Sequence, residues 1–363
     1  MSCSRSRGSR LPVLPAAAAI LAAVAMACVA SIVLPDPASS AARPKAKVEL
    51  KIATIAPEGS TWMRIMDELD QQIREKTQGE AGLKFYAGGV QGDELVVLRK
   101  IRAGQLQGGG FTGVGLGEIE PNLRVLEVPF TFRNEAEIAA VHRALDPTFE
   151  PMLREDGWEI LGWADVGPVY LFTKQPVHQI DDLKKMRMWL WEGDPIAEKL
   201  LQTVGVSPVP LPITDVVTSL QTGLIDAVYN GPLACIALQW YTRISYMTDL
   251  PVTQASGAVV VSRKAFEQLS PAAQQTVHAL ANDAFARLRE ETARENAESI
   301  GVLKQKGIQI VSLEPGQAGS FNAIGKQVRD ELAGKLYTRE ILDRALAAVE
   351  QYRASAGNPA GKP

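Results

Sequence analysis

"KVELKIATIAPEGSTWMRIMDELDQQI", residues 47–73, changes period halfway through. Val48, Leu50 and Ile52 alternate with Glu49 and Lys51, the two-residue repeat of a half-buried strand. After "PEGST" the apolar positions are Ile65, Met66, Leu69 and Ile73, which share one face of a helix. Gly79 is placed to end that helix. A strand that turns into a helix opens an α/β unit, and the rest of the chain continues it.

"GLKFYAGG" (82–89) reads as a second strand, "DELVVLRKIRAGQ" (93–105) as a helix, and "GGGFTGVG" (108–115) as a short glycine-rich strand or loop. This order implies a lobe with mainly parallel pairing. "EILGWADVGPVYLFTKQ" (159–175) is one long strand candidate that runs between lobes. A second β-α-β-α series follows. "DDLKKMRMWLWEG" leads into a strand, "DPIAEKLLQTVG" is a helix capped by Asp194 with Pro195 in its first turn, "ITDVVTSLQTG" is helical, and "IDAVYNGP" is a strand and turn. "SGAVVVSR" (256–263) returns as a strand. From Ser270 and Pro271 to residue 307 the sequence is strongly helical, as one long helix or as two with a bend. "IQIVSL" is a strand and 318–353 read as helices.

The composition is that of an ordinary globular chain: 363 residues, 46% hydrophobic, 22% charged. Two lobes suit that length. A formal net charge of -3, with no basic patch, argues against a nucleic-acid partner. The first 43 residues differ. Arg5, Arg7 and Arg10 precede a nearly uncharged apolar run (11–35), and small residues follow. That is the layout of an export signal cleaved near Ala41 or Ala42. Retention as an anchor and lipidation at Cys28 are the alternatives. Past the signal only Cys235 remains, a small buried residue on this reading.

No H-E-x-x-H, C-x-x-C, G-x-S-x-G or Walker loop is present, so no cofactor or metal is expected and an enzyme is the weaker reading. The glycines of 108–117 lack a Lys-Ser/Thr ending. They suit close packing or close approach of a ligand.

In order and spacing, "KIATIAPEGSTW", "YAGGVQGDELVVLRKIRAGQLQGG", "VLEVPFTFRNEAEIAAV", "LQTGLIDAVYNGP" and "GAVVVSRKAFEQLSPAAQQTV" resemble the extracytoplasmic solute-binding proteins of TRAP (tripartite ATP-independent periplasmic) transporters, over roughly residues 48 to 335. The resemblance implies a two-lobed, type II-like periplasmic-binding fold with hinge strands and a long interlobe helix. It assigns 44–168 plus about 247–285 to lobe I, 169–246 plus about 286–353 to lobe II, and leaves 354–363 as a disordered tail. It implies a periplasmic protein without catalysis, which delivers a small-molecule ligand to the small and large permease subunits. A helical-repeat periplasmic partner protein is a further implied partner, from the likeness of "WLWEGDP" to an arginine-poor branch.

The site expectations follow from laying "DDLKKMRMWL" on the family form "DLKGLKIRV". The carboxylate-binding arginine of the family falls on Trp189, and Arg187 lies two residues earlier on the same face. A second arginine position falls on Tyr170. Asn230 matches the family asparagine, and a polar pair before it becomes Val228 and Tyr229. Trp62, Phe111, Thr112 and Trp240 complete the expected cleft wall, while Trp191 is expected beneath Trp189 as support. Such a wall suits a hydrophobic or amphipathic ligand. A cationic ligand caged with Glu192 or Asp194, an organic acid held by Arg187, an exported sensor, and an enzyme using Asp165 with Glu192 are the competing readings.

Overall fold

Val48–Thr54 is strand β1, and its buried residues include Leu50 and Ile52, as the alternation requires. The protein was described from a computed structural model, in which residues 45–356 are described. The expected signal, its cleavage and lipidation sites, and the end of the tail lie outside the described residues. Residues 354–356, expected in that tail, belong to the last helix.

Helix α1, Thr61–Lys76, begins at Ser60, whose hydroxyl accepts from the Met63 amide at 3.2 Å. Its buried stripe includes Met66, Leu69 and Ile73. Strand β2 (Ala81–Tyr86), helix α2 (Glu94–Arg102), strand β3 (Gly108–Thr112) and helix α3 (Gly113–Ile119) follow. The glycine run is therefore half strand, half helix. Thr112 caps α3, and a Cβ on Gly113 would lie 2.1 Å from the Glu127 carboxylate. Only glycine admits that approach.

After a 3₁₀ segment at Pro121–Glu127 come helix α4 (Glu135–Glu155) and strand β4 (Trp158–Trp163). The first sheet has the order β2-β1-β3-β11-β4, where β11 is Gly257–Ser262. The first three strands pair parallel as expected, but β11 runs antiparallel to both neighbours because it returns from the other lobe. One face of the sheet packs on α1 and on the long helix Pro271–Gln305. The other packs on a core containing Leu98, Leu126, Val141 and Phe149.

The single strand expected over 159–175 is two. Strand β4 ends at Trp163, and β5 (Gly167–Thr173) belongs to the second sheet. The chain crosses between lobes at Ala164–Val166 and recrosses at Ser256, between β10 (Thr253–Ala255) and β11. The two crossings hydrogen-bond to each other, Ala164 N to Gly257 O at 2.7 Å and Val166 N to Ala255 O at 2.9 Å. Gly167 has φ +101°, and a Cβ there would meet the Asn296 amide at 2.5 Å.

The second lobe continues with a short helix α5 (Ile180–Leu183), β6 (Trp189–Trp191), α6 (Pro195–Val204), β7 (Val209–Leu211), α7 (Val216–Thr222), β8 (Ala227–Asn230), α8 (Pro232–Ala237) and β9 (Tyr246–Thr248). After the recrossing come α9 (Arg263–Phe266), the long helix α10 (Pro271–Gln305), β12 (Gln309–Val311), α11 (Gln317–Leu332) and α12 (Arg339–Ala356). Strand β5 pairs antiparallel with β8, β9 and β10, so this sheet is less parallel than the first. Helix α10 is one continuous helix of 35 residues.

Two lobe boundaries differ from expectation. Strands β9 and β10 belong to the second sheet, which moves the recrossing from about 247 to 256. Helix α12 packs on α4 of the first lobe, where Arg353 pairs with Glu137 at 2.8 Å, so 339–356 leave lobe II.

Candidate ligand-binding site

A cavity of about 410 Å³ lies between the two lobes. Its first wall comes from the β1–α1 loop and the first turn of α1, including Ile55, Thr61, Trp62 and Arg64. A second comes from β3, with Phe111 and Thr112. The crossing residues Ala164, Asp165 and Val166 form one end. The second lobe supplies Trp191, Ile213, Asn230 and the apolar face of α8. Helix α10 adds Thr292 and Glu295. Most of this surface is hydrocarbon and aromatic ring.

Four of the ten expected residues come together here: Trp62, Phe111, Thr112 and Asn230. The other six do not, and each has a physical reason. Trp189 is fully buried. Its ring is covered by Tyr229 (centroids 4.9 Å apart), Trp240 (5.3 Å) and Trp191 (5.8 Å), and its indole N–H donates to Leu211 O at 2.9 Å. Trp240 and Val228 are buried in the same core. Tyr229 is a support: its hydroxyl accepts from the Trp191 amide at 3.0 Å and donates to Asp194 at 3.4 Å. Tyr170 lies beyond Val166, where β5 has left the cleft wall, in a surface groove with Pro168 and Tyr352. Arg187 is exposed and held by Asp226, with Nε at 2.9 Å and Nη2 at 2.8 Å.

The two tryptophans of "WLW" thus exchange roles. They share a face, but Trp189 sits deeper and Trp191 forms the surface above it. The Trp191 indole N–H donates to both carboxylate oxygens of Asp93, at 3.2 and 3.1 Å, across the lobe boundary. Asp93 also accepts from the Ile213 amide at 2.8 Å. One carboxylate of the first lobe thereby fixes two cleft residues of the second. Neither acid of the cation-cage reading reaches the cavity. Glu192 is exposed on the turn, and Asp194 is buried as the cap of α6, accepting from the Ile196 and Ala197 amides at 3.2 Å each. Asp165 does line the cavity, but without Glu192 beside it the expected acid–base pair is not assembled.

A buried ionic cluster stands behind the cleft. Arg124, 2% exposed, reaches Asp194 at 2.7 Å and Glu127 at 3.1 Å. Glu127 also accepts from the Ser256 amide at 2.9 Å, at the recrossing. Arg124 and Glu127 belong to the first lobe and Asp194 to the second, so the cluster spans both. Glu94 underlies Thr112, accepting from its amide at 2.8 Å, its hydroxyl at 3.1 Å and the Gly115 amide at 2.8 Å. Burial, seconded by the neighbouring Asp93 charge, pushes the Glu94 carboxyl up to about 8 despite those hydrogen bonds.

An acid whose folded pKa is raised holds its proton in the fold after the unfolded chain has lost it, so stability declines as pH rises from about 4.5 to about 8. Glu94→Gln is expected to flatten that decline in denaturant titrations across this window. An unchanged slope would show that Glu94 is ionised throughout.

At the crossing, Asp165 faces the His142 ring, Nε2 to Oδ1 at 3.3 Å, while Asp146 holds Nδ1 at 2.8 Å. Burial works against a charge on His142, but the Asp165 and Asp146 carboxylates outweigh it and push the imidazole up to about 10.

Residues that sequence reasoning missed include Arg64, Ile213 and the α8 face, while it names Trp191 only as support and Asp165 only as the partner of Glu192. One signal was available: "LACIAL" (233–238) is apolar on every side, more than a helix covered on one face needs.

The sequence matches the family described as "Bacterial extracellular solute-binding protein, family 7" over residues 52–335, and the chain belongs to that family. It is 27% identical over 268 residues to the 2,3-diketo-L-gulonate-binding periplasmic protein YiaO of Escherichia coli (strain K12), covering 71% of this chain and 79% of that one. Its fold matches a TRAP periplasmic solute-binding protein from Xanthobacter autotrophicus, solved with bound β-D-galacturonate, at TM-score 0.77 and 18% identity, over 83% of this chain and 99% of that one. It also matches a Bordetella pertussis extracytoplasmic solute receptor binding pyroglutamic acid, at TM-score 0.77 and 20% identity, with the same coverage. The two-lobed α/β fold is thus that of TRAP periplasmic solute-binding proteins, and the family is one of solute-binding receptors.

Proposed function

We propose that this protein is the periplasmic solute-binding component of a TRAP transporter, and that it captures a ligand with an apolar, ring-sized body in the interlobe cleft. The permease subunits in the membrane are its delivery partners on this reading. Family membership and fold support the receptor role. The ligand class rests on one observation, the cavity between Trp62, Phe111, Trp191 and the apolar face of α8.

The volume sets the scale. At about 30 Å³ per water-sized group, a cavity of about 410 Å³ holds roughly a dozen non-hydrogen atoms. Burying ~150 Å² of apolar ligand surface there contributes about 4 kcal/mol. Sugar acids, such as the galacturonate bound to one structural relative, bring many hydroxyl groups, and a wall that is mostly hydrocarbon and ring suits them less well than an apolar body. An organic acid held by Arg187 fits less well, because that guanidinium is outside the cleft and engaged by Asp226.

The experiment is extraction of the ligand from freshly purified protein, identified by mass spectrometry. A co-purifying compound with an aromatic or alicyclic body is expected. Recovery of a small dicarboxylate or a sugar acid alone would overturn the ligand class. Trp191→Ala is expected to reduce the co-purifying ligand about tenfold or more, because it removes an aromatic ring from the wall. Retention at the wild-type level would show that Trp191 is not a contact.

A further inference from the structure

We propose that Arg64 is the acid-binding residue of the cleft, so that the ligand is an amphipathic monocarboxylate whose head lies at the start of α1 and whose apolar body lies against Phe111 and Trp191. This rests on the reading of the interlobe cavity as the ligand site.

Among the described residues lining the cavity, Arg64 is the one basic side chain. Its guanidinium donates to Gly59 O at 3.0 Å and to the Thr61 hydroxyl at 2.6 Å, and it pairs with no carboxylate among the described residues. A guanidinium carries five N–H donors, so its outer edge stays open for a forked contact with a carboxylate. The bond to Thr61 holds it at the rim. The entry into α1, Gly59 to Trp62, lines the cavity beside it, and this 16-residue helix directs its positive end there. Basic side chain and helix end therefore favour an anion at the same place.

The two acids of the wall are already engaged. The Thr61 hydroxyl donates to Glu295, and Asp165 faces His142 at 3.3 Å. Glu295 stands at the Arg64 end through Thr61 and Asp165 at the crossing, and these two wall carboxylates repel a second negative charge on the ligand, which favours one carboxylate over two. Phe111, Ile213 and Trp191 offer rings and hydrocarbon on the same wall. The wall thus carries one cation, at the start of α1, among rings and hydrocarbon, and the ligand is charged at one end.

Isothermal titration of the dialysed protein tests this with phenylacetate, its neutral isostere phenylacetamide, phenyltrimethylammonium and succinate. Arg64→Gln is expected to weaken phenylacetate about tenfold or more and leave phenylacetamide within about twofold. Arg64→Lys, which keeps the charge and loses the fork, is expected to fall between. Succinate is expected to bind more weakly than phenylacetate. Equal losses for acid and amide, no loss for the acid, or tighter binding of the ammonium probe would overturn the role of Arg64. Failure of the phenyl probes to bind at all, with or without binding of succinate, would instead overturn the apolar-cleft reading, whatever Arg64 does.

Discussion

Replacing Arg124 with methionine is expected to destabilise the protein by about 3–5 kcal/mol. The side chain is 2% exposed and reaches Asp194 at 2.7 Å and Glu127 at 3.1 Å. Methionine fills most of the volume but leaves two buried carboxylates without their cation. The loss comes from those stranded charges more than from the pair itself, since a buried ion pair is close to neutral against a well-packed apolar group. The cause can be separated by a second change. Arg124→Met combined with Asp194→Asn is expected to recover part of the loss, because the asparagine can still cap α6. Urea denaturation of the wild type and both variants measures this. A loss under about 1 kcal/mol for the single variant would mean that water reaches the cluster and screens it.

The second large effect separates the two tryptophans. Trp189→Ala is expected to cost about 3–5 kcal/mol of stability, because a fully buried indole leaves a cavity among Tyr229, Trp191 and Trp240. Trp191→Ala is expected to cost less stability and more ligand, since its ring covers the core on one side and faces the cleft on the other. Denaturant midpoints and ligand recovery, measured on both variants, distinguish the residues. If Trp189→Ala left stability intact and abolished binding, the roles assigned to the pair would have to be exchanged again. Trp189→Arg, which would place a charge under that stack, is expected to prevent folding rather than to create a carboxylate site.

The elements of this fold were legible because each carries local chemistry. The switch of period at residues 47–73, the Asp194–Pro195 start of α6 and the Ser270–Pro271 start of α10 are short-range signals. Crossings between lobes carry no such signal. The run 159–175 has continuous strand character, and only the pairing of β4 and β5 with different sheets splits it. Likewise α12 is clearly a helix in sequence, but nothing within it states that it returns to α4.

The cleft was partly legible for a related reason. Trp62, Phe111, Thr112 and Asn230 lie where a strand ends or a helix begins, and strand ends open onto the interlobe space. Facing rules placed Trp189 and Trp191 together, because alternation has no information on depth along a strand. Arg187 failed as a candidate since Asp226, 39 residues away in sequence, claims it. Arg64 carries no signal in the sequence, because an exposed arginine on a helix reads as ordinary surface until the facing wall is in place.

Helix α10 gives the cleft a mechanical character. Its 35 residues make a rod about 52 Å long. Val277 and Phe285 sit in the core of the first lobe and Leu303 in that of the second, while Asn296 holds the crossing through Val166 O at 2.7 Å. A rod embedded in both jaws cannot swivel where they meet. Long helices do curve gently, with radii of about 60–100 Å, so the jaws can part only by flexing it. The opening of the cleft then resembles the bending of a leaf spring more than the turning of a pin.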